Sequence, residues 1–231
     1  MIERMRGALA VNASVGILLT MTVATGIVDA VSFLALGRVF TANMTGNVVL
    51  LGFAFAGAPG LSISRSAVAL FAFLSGAVFG GRVAFEESNC HRWAAKAFLL
   101  EALLLGVAAA AAAGSGLRVV SNPLKLNTVI VLTGFAMGLR NAIVRKLAVP
   151  DMTTTVLTLT ITGLAADSSL AGGRNPRWRR RGAAILAMIA GAFAGARMLA
   201  YSISLPLTVA CGIAAMCAAA YWHFVSEGRE S

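Results

Sequence analysis

The chain has 231 residues, of which 58% are apolar and only 12% charged, with a mean hydropathy of +0.83. A soluble domain spends about a quarter of its residues on charge to keep its surface wet, so this composition excludes one and makes lipid the solvent. The net charge of +10 lies in short clusters between apolar segments, which excludes a nucleic-acid partner and fits Lys and Arg retained beside a membrane.

The N-terminal stretch MIERMRGALAVNASVGILLTMTVATG opens as a signal peptide does, with two arginines and then an apolar run. The run continues into GIVDAVSFLAL, past any plausible cleavage point, and reads as a retained first helix. Hydrophobic runs predict helices at 14–36, 44–58, 66–85, 94–114, 126–143, 152–166, 182–200 and 205–225. The second and sixth runs are short. A helix of about 15 residues reaches about 22 Å, against about 30 Å of hydrocarbon.

Both short runs open on a polar motif, FTANMTGNVVLLG at 40–52 and VPDMTTTVLTLT at 149–160. Asn43 and Asp151 are good N-caps, and Thr45, Asn47, Thr153, Thr154 and Thr155 fill the first helical turns. A helix that begins inside a membrane leaves unpaired N–H groups that hydrocarbon does not solvate. Caps and hydroxyls satisfy some of them, and the remainder, with the positive end of the dipole, suit a polar or anionic ligand. Gly46 allows a ligand or another backbone to come close. Plain capping of short helices in a packed bundle is the alternative reading.

The two halves of the chain resemble each other. GIVDAV at 26–31 aligns with GLRNAI at 138–143, which sets Asp29 opposite Asn141. NMTGNVVLL at 43–51 aligns with DMTTTVLTL at 151–159, and GAVFGGR at 76–82 with GAFAGAR at 191–197. Three matches in one order predict a duplication within a single membrane domain, repeat 1 over about 14–114 and repeat 2 over about 126–225. Eight full crossings with the N-terminus inside would put 11 basic residues inside and 8 outside. Six crossings plus two re-entrant helices give 14 and 5, which the positive-inside rule prefers. Each half then crosses three times, so the repeats run in opposite directions.

Trp93, Trp178, Tyr201, Tyr221 and Trp222 flank apolar runs, as an interfacial girdle does. Gly76 with Gly80, and Gly191 with Gly195, form GxxxG pairs for close helix packing, within the chain or in a homo-oligomer. Asp29 falls inside the first span, where a carboxylate is costly and serves either as a proton or cation site or as a structural anchor. Glu101, five residues after Lys96, reads as a carboxylate neutralised near the interface. The loop RNPRWRRR at 174–181 reads as a topology signal. Cys90, Cys211 and Cys217 form no framework, and no HExxH, GxSxG or P-loop is present. Neither an enzyme, a cofactor nor a metal is expected.

GIVDAVSFLALGRVFTANMTGNVVLLG and AMGLRNAIVRKLAVPDMTTTVLTLTITGLAAD resemble the YoaK, or DUF1275, family of bacterial integral membrane proteins. The likeness covers nearly the whole chain. It implies about six spans, no established biochemical function, and a small-molecule transporter as the usual guess. The matching positions are Asp29, Asn43, Thr45, Gly46, Asn47, Asn141, Thr154 and Thr155. Arg140 stands where the family usually carries Gln, and Leu159 where Gly is common, which puts close ligand approach at the second motif in doubt.

The sequence thus predicts an all-α, polytopic membrane helix bundle in a bacterial inner membrane, both termini cytoplasmic, with lipid and an unknown solute as partners. The expected function is a secondary transporter of a small polar or anionic solute, proton-coupled through Asp29. The alternative is a non-transporting scaffold that binds a partner through its GxxxG faces.

Overall fold

The structure, a computed structural model, describes residues 2–86, 90–114, 122–149 and 157–227. These form α1 (Ile2–Ala35), α2 (Met44–Phe55), α3 (Ile63–Glu86), α4 (Cys90–Ala112), α5 (Pro123–Leu147), α6 (Leu157–Ala166), α7 (Trp178–Leu199) and α8 (Ser204–Glu227). One 3-10 turn, Ser169–Ala171, precedes α7, and no strand occurs among the described residues. Six helices carry apolar stretches of 20 to 25 residues, enough by length and composition to cross a bilayer. The two short ones are α2, with 12 residues, and α6, with 10 described residues. This is the helical membrane bundle that the hydrophobic runs predict.

α2 links the end of α1 to the start of α3. Its N-terminus lies beside Asp29 of α1, where the Ala42 N–H meets the Asp29 carboxylate. Asp29 precedes the C-terminal end of α1 by six residues, about 9 Å along the axis. The loops on either side of α2 nevertheless meet near that end of α1. Arg65, just inside α3, packs its guanidinium against Gly37, and Arg38 approaches Gly60. The end of α1 and the start of α3 therefore share one face of the bundle. α2, about 18 Å long, begins near that face, since Asn47 in its first turn donates to the Ser66 carbonyl of α3.

The helices pack through small residues, because lipid gives apolar faces no reason to associate and close van der Waals contact must supply it. A Cβ on Gly76 would strike the Phe135 carbonyl, and one on Gly191 the Val23 carbonyl. α3 thus lies against α5, and α7 against α1. The remaining close approaches repeat the correspondence. Gly26 faces Met188 and Ala192 as Gly138 faces Phe73 and Ala77. Gly195 faces Ile27 and Ala30 as Gly80 faces Leu139 and Ala142. The other neighbours also exchange when α1–α4 are swapped with α5–α8. α4 packs on α5 as α8 packs on α1, α2 on α3 as α6 on α7, and α4 pairs with α8.

Two aromatic residues depart from the interfacial girdle. Tyr221 is fully buried and stacks obliquely on Phe98, with ring centroids 5.6 Å apart. Trp93 is buried in the same cluster between α1, α4, α5 and α8. Both sit near helix ends, but on the face turned to other helices, a distinction that distance from a span's end does not make. Trp178, Tyr201 and Trp222 remain exposed.

The glycine contacts predict a graded response. Gly76→Ala and Gly191→Ala force a methyl onto a neighbouring backbone carbonyl, and each is expected to cost about 1–3 kcal/mol. Gly212→Ala points into open space and is expected to be neutral or stabilising by up to about 1 kcal/mol. Unfolding in mixed micelles at increasing dodecyl sulfate measures all three.

Candidate functional site

The break between α1 and α2 is held by three polar side chains that the sequence singles out. Asp29 Oδ1 accepts the Ala42 N–H at 3.2 Å and the carboxylate also meets the Asn43 N–H. Asn43 caps α2 through Oδ1, accepting from Gly46 N–H at 3.3 Å. Asn47 bridges further, with Oδ1 taking the Phe40 N–H at 3.4 Å and Nδ2 donating to the Ser66 carbonyl at 3.2 Å. A chain turning between apolar helices has no water for these amides, so side chains of the fold must serve them. Gly46 has a local reason to lack a side chain, since its Cβ would press on the Phe40 ring and the Asn43 amide. Phe40 in turn stacks on Phe33 with centroids 5.0 Å apart.

Beside this break lies a cavity of about 730 Å³. Asp29 and Gly26 of α1 line it together with Asn43, Met44, Thr45 and Gly46 at the start of α2. The lining is completed by Asn141 of α5, Leu157, Thr158 and Ile161 of α6, and Met188 and Ala192 of α7. The structure therefore brings Asp29, Asn43, Thr45, Gly46 and Asn141 to one space, although Asp29 and Asn141 stand more than a hundred residues apart. Asn47 is not among the lining residues. It is buried and occupied as a strut between the break and α3. Asp151, Thr153, Thr154 and Thr155 lie outside the described residues. Asn141 donates through Nδ2 to the Met137 carbonyl at 2.8 Å. A second cavity of about 610 Å³ shares Asn141 and Phe73 with the first and extends to Arg145 and Val149. Both volumes fall in the range of small-molecule sites.

A family model described as "Protein of unknown function (DUF1275)" matches residues 17–220. The chain belongs to the DUF1275 family. A relative from Bacillus subtilis (strain 168), the UPF0700 transmembrane protein YoaK, is 35% identical over 147 residues, which cover 62% of each chain. The match thus spans less than two thirds of that relative's length. No solved structure matches significantly.

In this DUF1275 member the most buried charges lie away from the cavity. Arg140 and Glu101 are both fully buried. Arg140 Nε donates to Glu101 Oε2 at 3.0 Å and Nη2 donates to Oε1, a bidentate pair between α5 and α4. Nη1 reaches α1, donating to the Met21 carbonyl at 2.9 Å and to Thr25 Oγ1 at 2.6 Å. Three helices are tied at one guanidinium. Glu101 is therefore a deep structural carboxylate, and the interfacial pairing expected near Lys96 is corrected. Arg140 does not line the cavity. Leu159 is likewise turned outward and is 74% exposed. The sequence carried one signal for this pair, an acid and a base each set well inside an apolar run.

A second ion pair clamps the end of α6. Arg181, 6% exposed, donates to Asp167 Oδ2 at 2.7 Å and to the Gly163 carbonyl at 2.5 Å. A cation suits the negative end of a helix dipole.

Removing one member of a buried pair leaves the other charge uncompensated. Arg140→Gln and Glu101→Gln are each expected to cost about 3–5 kcal/mol. The double variant is expected to cost less than the two losses added together, by about 1–3 kcal/mol of coupling. A double-mutant cycle read by dodecyl sulfate unfolding measures the coupling, and additive losses would show the two groups to be independent.

Proposed function

We propose that the protein is a secondary carrier for a small polar solute, built from two inverted three-span repeats, with the cavity at Asp29 and Asn141 as the solute site. The observation that carries this reading is the shared wall. Two sequence-equivalent positions, one from each half, face one cavity, beside the N-terminus of the short helix α2. Secondary transporters place their sites at such repeat interfaces, between broken helices, and alternate access by rocking one repeat against the other. The exchanged glycine contacts support the same duplication. The glycine faces that a scaffold would offer to a partner are occupied within the chain by α1–α7 and α3–α5 packing.

The inverted arrangement also fits the charge distribution. Arg140 and Arg181 are buried among helices and so do not report on sidedness. Without them the six-span count is 12 basic residues inside and 5 outside, still the steeper of the two alternatives. We place both termini in the cytoplasm of a bacterial inner membrane on this ground. Asp29 is the group through which a proton would couple, since Asn141, its counterpart, does not titrate.

Two experiments test the proposal. Single cysteines at Ser64 and Ser169, both exposed, in a chain freed of Cys90, Cys211 and Cys217, are expected to label from opposite sides of the membrane. Labelling from the same side would overturn the six-span arrangement. In proteoliposomes under a proton gradient, Asp29→Asn is expected to abolish gradient-driven uptake while leaving the protein inserted and folded. Coupled uptake that survives the substitution would remove Asp29 from the mechanism.

A further inference from the structure

We propose that the cavity selects a small organic cation, an amine or quaternary ammonium with an apolar body, over an anion. This rests on reading the cavity as the solute site and narrows that reading to one class of charge. Among the described residues that line the cavity, Asp29 is the only ionisable one. The neighbouring bases are committed or distant. Arg140 spends its guanidinium on Glu101, Met21 and Thr25. Arg145 is exposed and borders only the adjoining cavity.

The start of α2 argues for an anion only in part. A helix N-terminus carries about half a positive charge. Here part of that end is already served, with Gly46 N–H bonded to the Asn43 side chain, and Asp29 takes the Ala42 N–H just before the helix. A full carboxylate charge outweighs the residual dipole, so the cavity is net negative when Asp29 is ionised. Inside a bilayer a carboxylate seeks a counter-charge, and no lining side chain supplies one. The rest of the wall suits the body of such a ligand. Phe73 offers an aromatic ring to a cation, and Met44 and Met188 offer polarisable thioethers that adapt to an apolar shape. The hydroxyl oxygen of Thr158 can accept an N–H donor from an amine.

The test uses the full chain in nanodiscs of phosphatidylcholine, whose neutral surface does not concentrate cations. The probes are benzyltrimethylammonium and 3-phenylpropionate, which have similar size and opposite charge. The cation is expected to bind at least about tenfold more tightly than the anion, and Asp29→Asn, which keeps an acceptor for Ala42, is expected to remove about that advantage. Where Asp29→Asn fails to fold, Asn141→Asp decides, since a second carboxylate is expected to tighten the cation and weaken the anion. Equal binding of both probes, tighter binding of the anion, binding of neither, or indifference to the carboxylate variants would overturn the inference. Failure of the carrier reading looks different. The cation would then bind with the stated dependence on Asp29, yet proteoliposomes would not accumulate it.

Discussion

A polypeptide that turns back inside an apolar bundle must find partners for every amide it frees, and the rest of this structure is arranged around that constraint. The chain leaves α1 at Ala35 and begins α2 at Met44. In between, amides that water would serve in a surface loop are served by Asp29, Asn43 and Asn47. Each leaves a costly orphan if removed. Together they fix where α2 starts, and with it the wall of the cavity. The fold and the candidate site are thus one set of hydrogen bonds. A carboxylate that anchors the break also presents its charge to the space beside it.

The glycines solve a different problem with the same economy of side chains. Without a solvent that drives apolar faces together, α1 and α7, and α3 and α5, associate by approaching until a methyl group would not fit. The two interfaces use matching positions, so one stretch of sequence appears twice with its partner exchanged. This places the α1–α7 and α3–α5 pairs as blocks that each mix the two halves of the chain. The cavity lies where those blocks face each other, lined by Gly26, Asp29, Met188 and Ala192 from one and by Phe73 and Asn141 from the other.

Much of this was legible in the sequence because it rests on pattern. Run length distinguishes α2 and α6 from the six long helices. Internal alignment pairs Gly76 with Gly191 and Asp29 with Asn141. What the sequence hid depends on the direction in which a side chain points. Trp93 and Tyr221 sit at the positions an interfacial girdle would use, but a rotation about the helix axis puts them in the core. Asn47 and Asn43 belong to one motif, yet one faces α3 and the other the cavity. Arg140 follows Leu139 and precedes Asn141, and a turn of about 100° per residue sends it to α1 and α4 while Asn141 looks into the cavity. Periodicity alone does not decide which helix a polar residue meets.

The Arg140–Glu101 pair bears on how the cavity keeps its charge. Both groups are buried within the bundle, and Arg140 is near enough to Asp29 for its charge to be felt there. If Glu101 were absent, the guanidinium would seek another carboxylate, and Asp29 is the neighbouring candidate. Glu101, held bidentately, neutralises Arg140 and ties it to α4, while Met21 and Thr25 take the remaining donors toward α1. Asp29 is thereby left to the break and the cavity. The buried pair has two effects, then. It joins three helices at one point, and it confines a positive charge away from Asp29, the only lining carboxylate among the described residues. A bundle that buries an arginine must provide it with an acid, and here Glu101 is that acid.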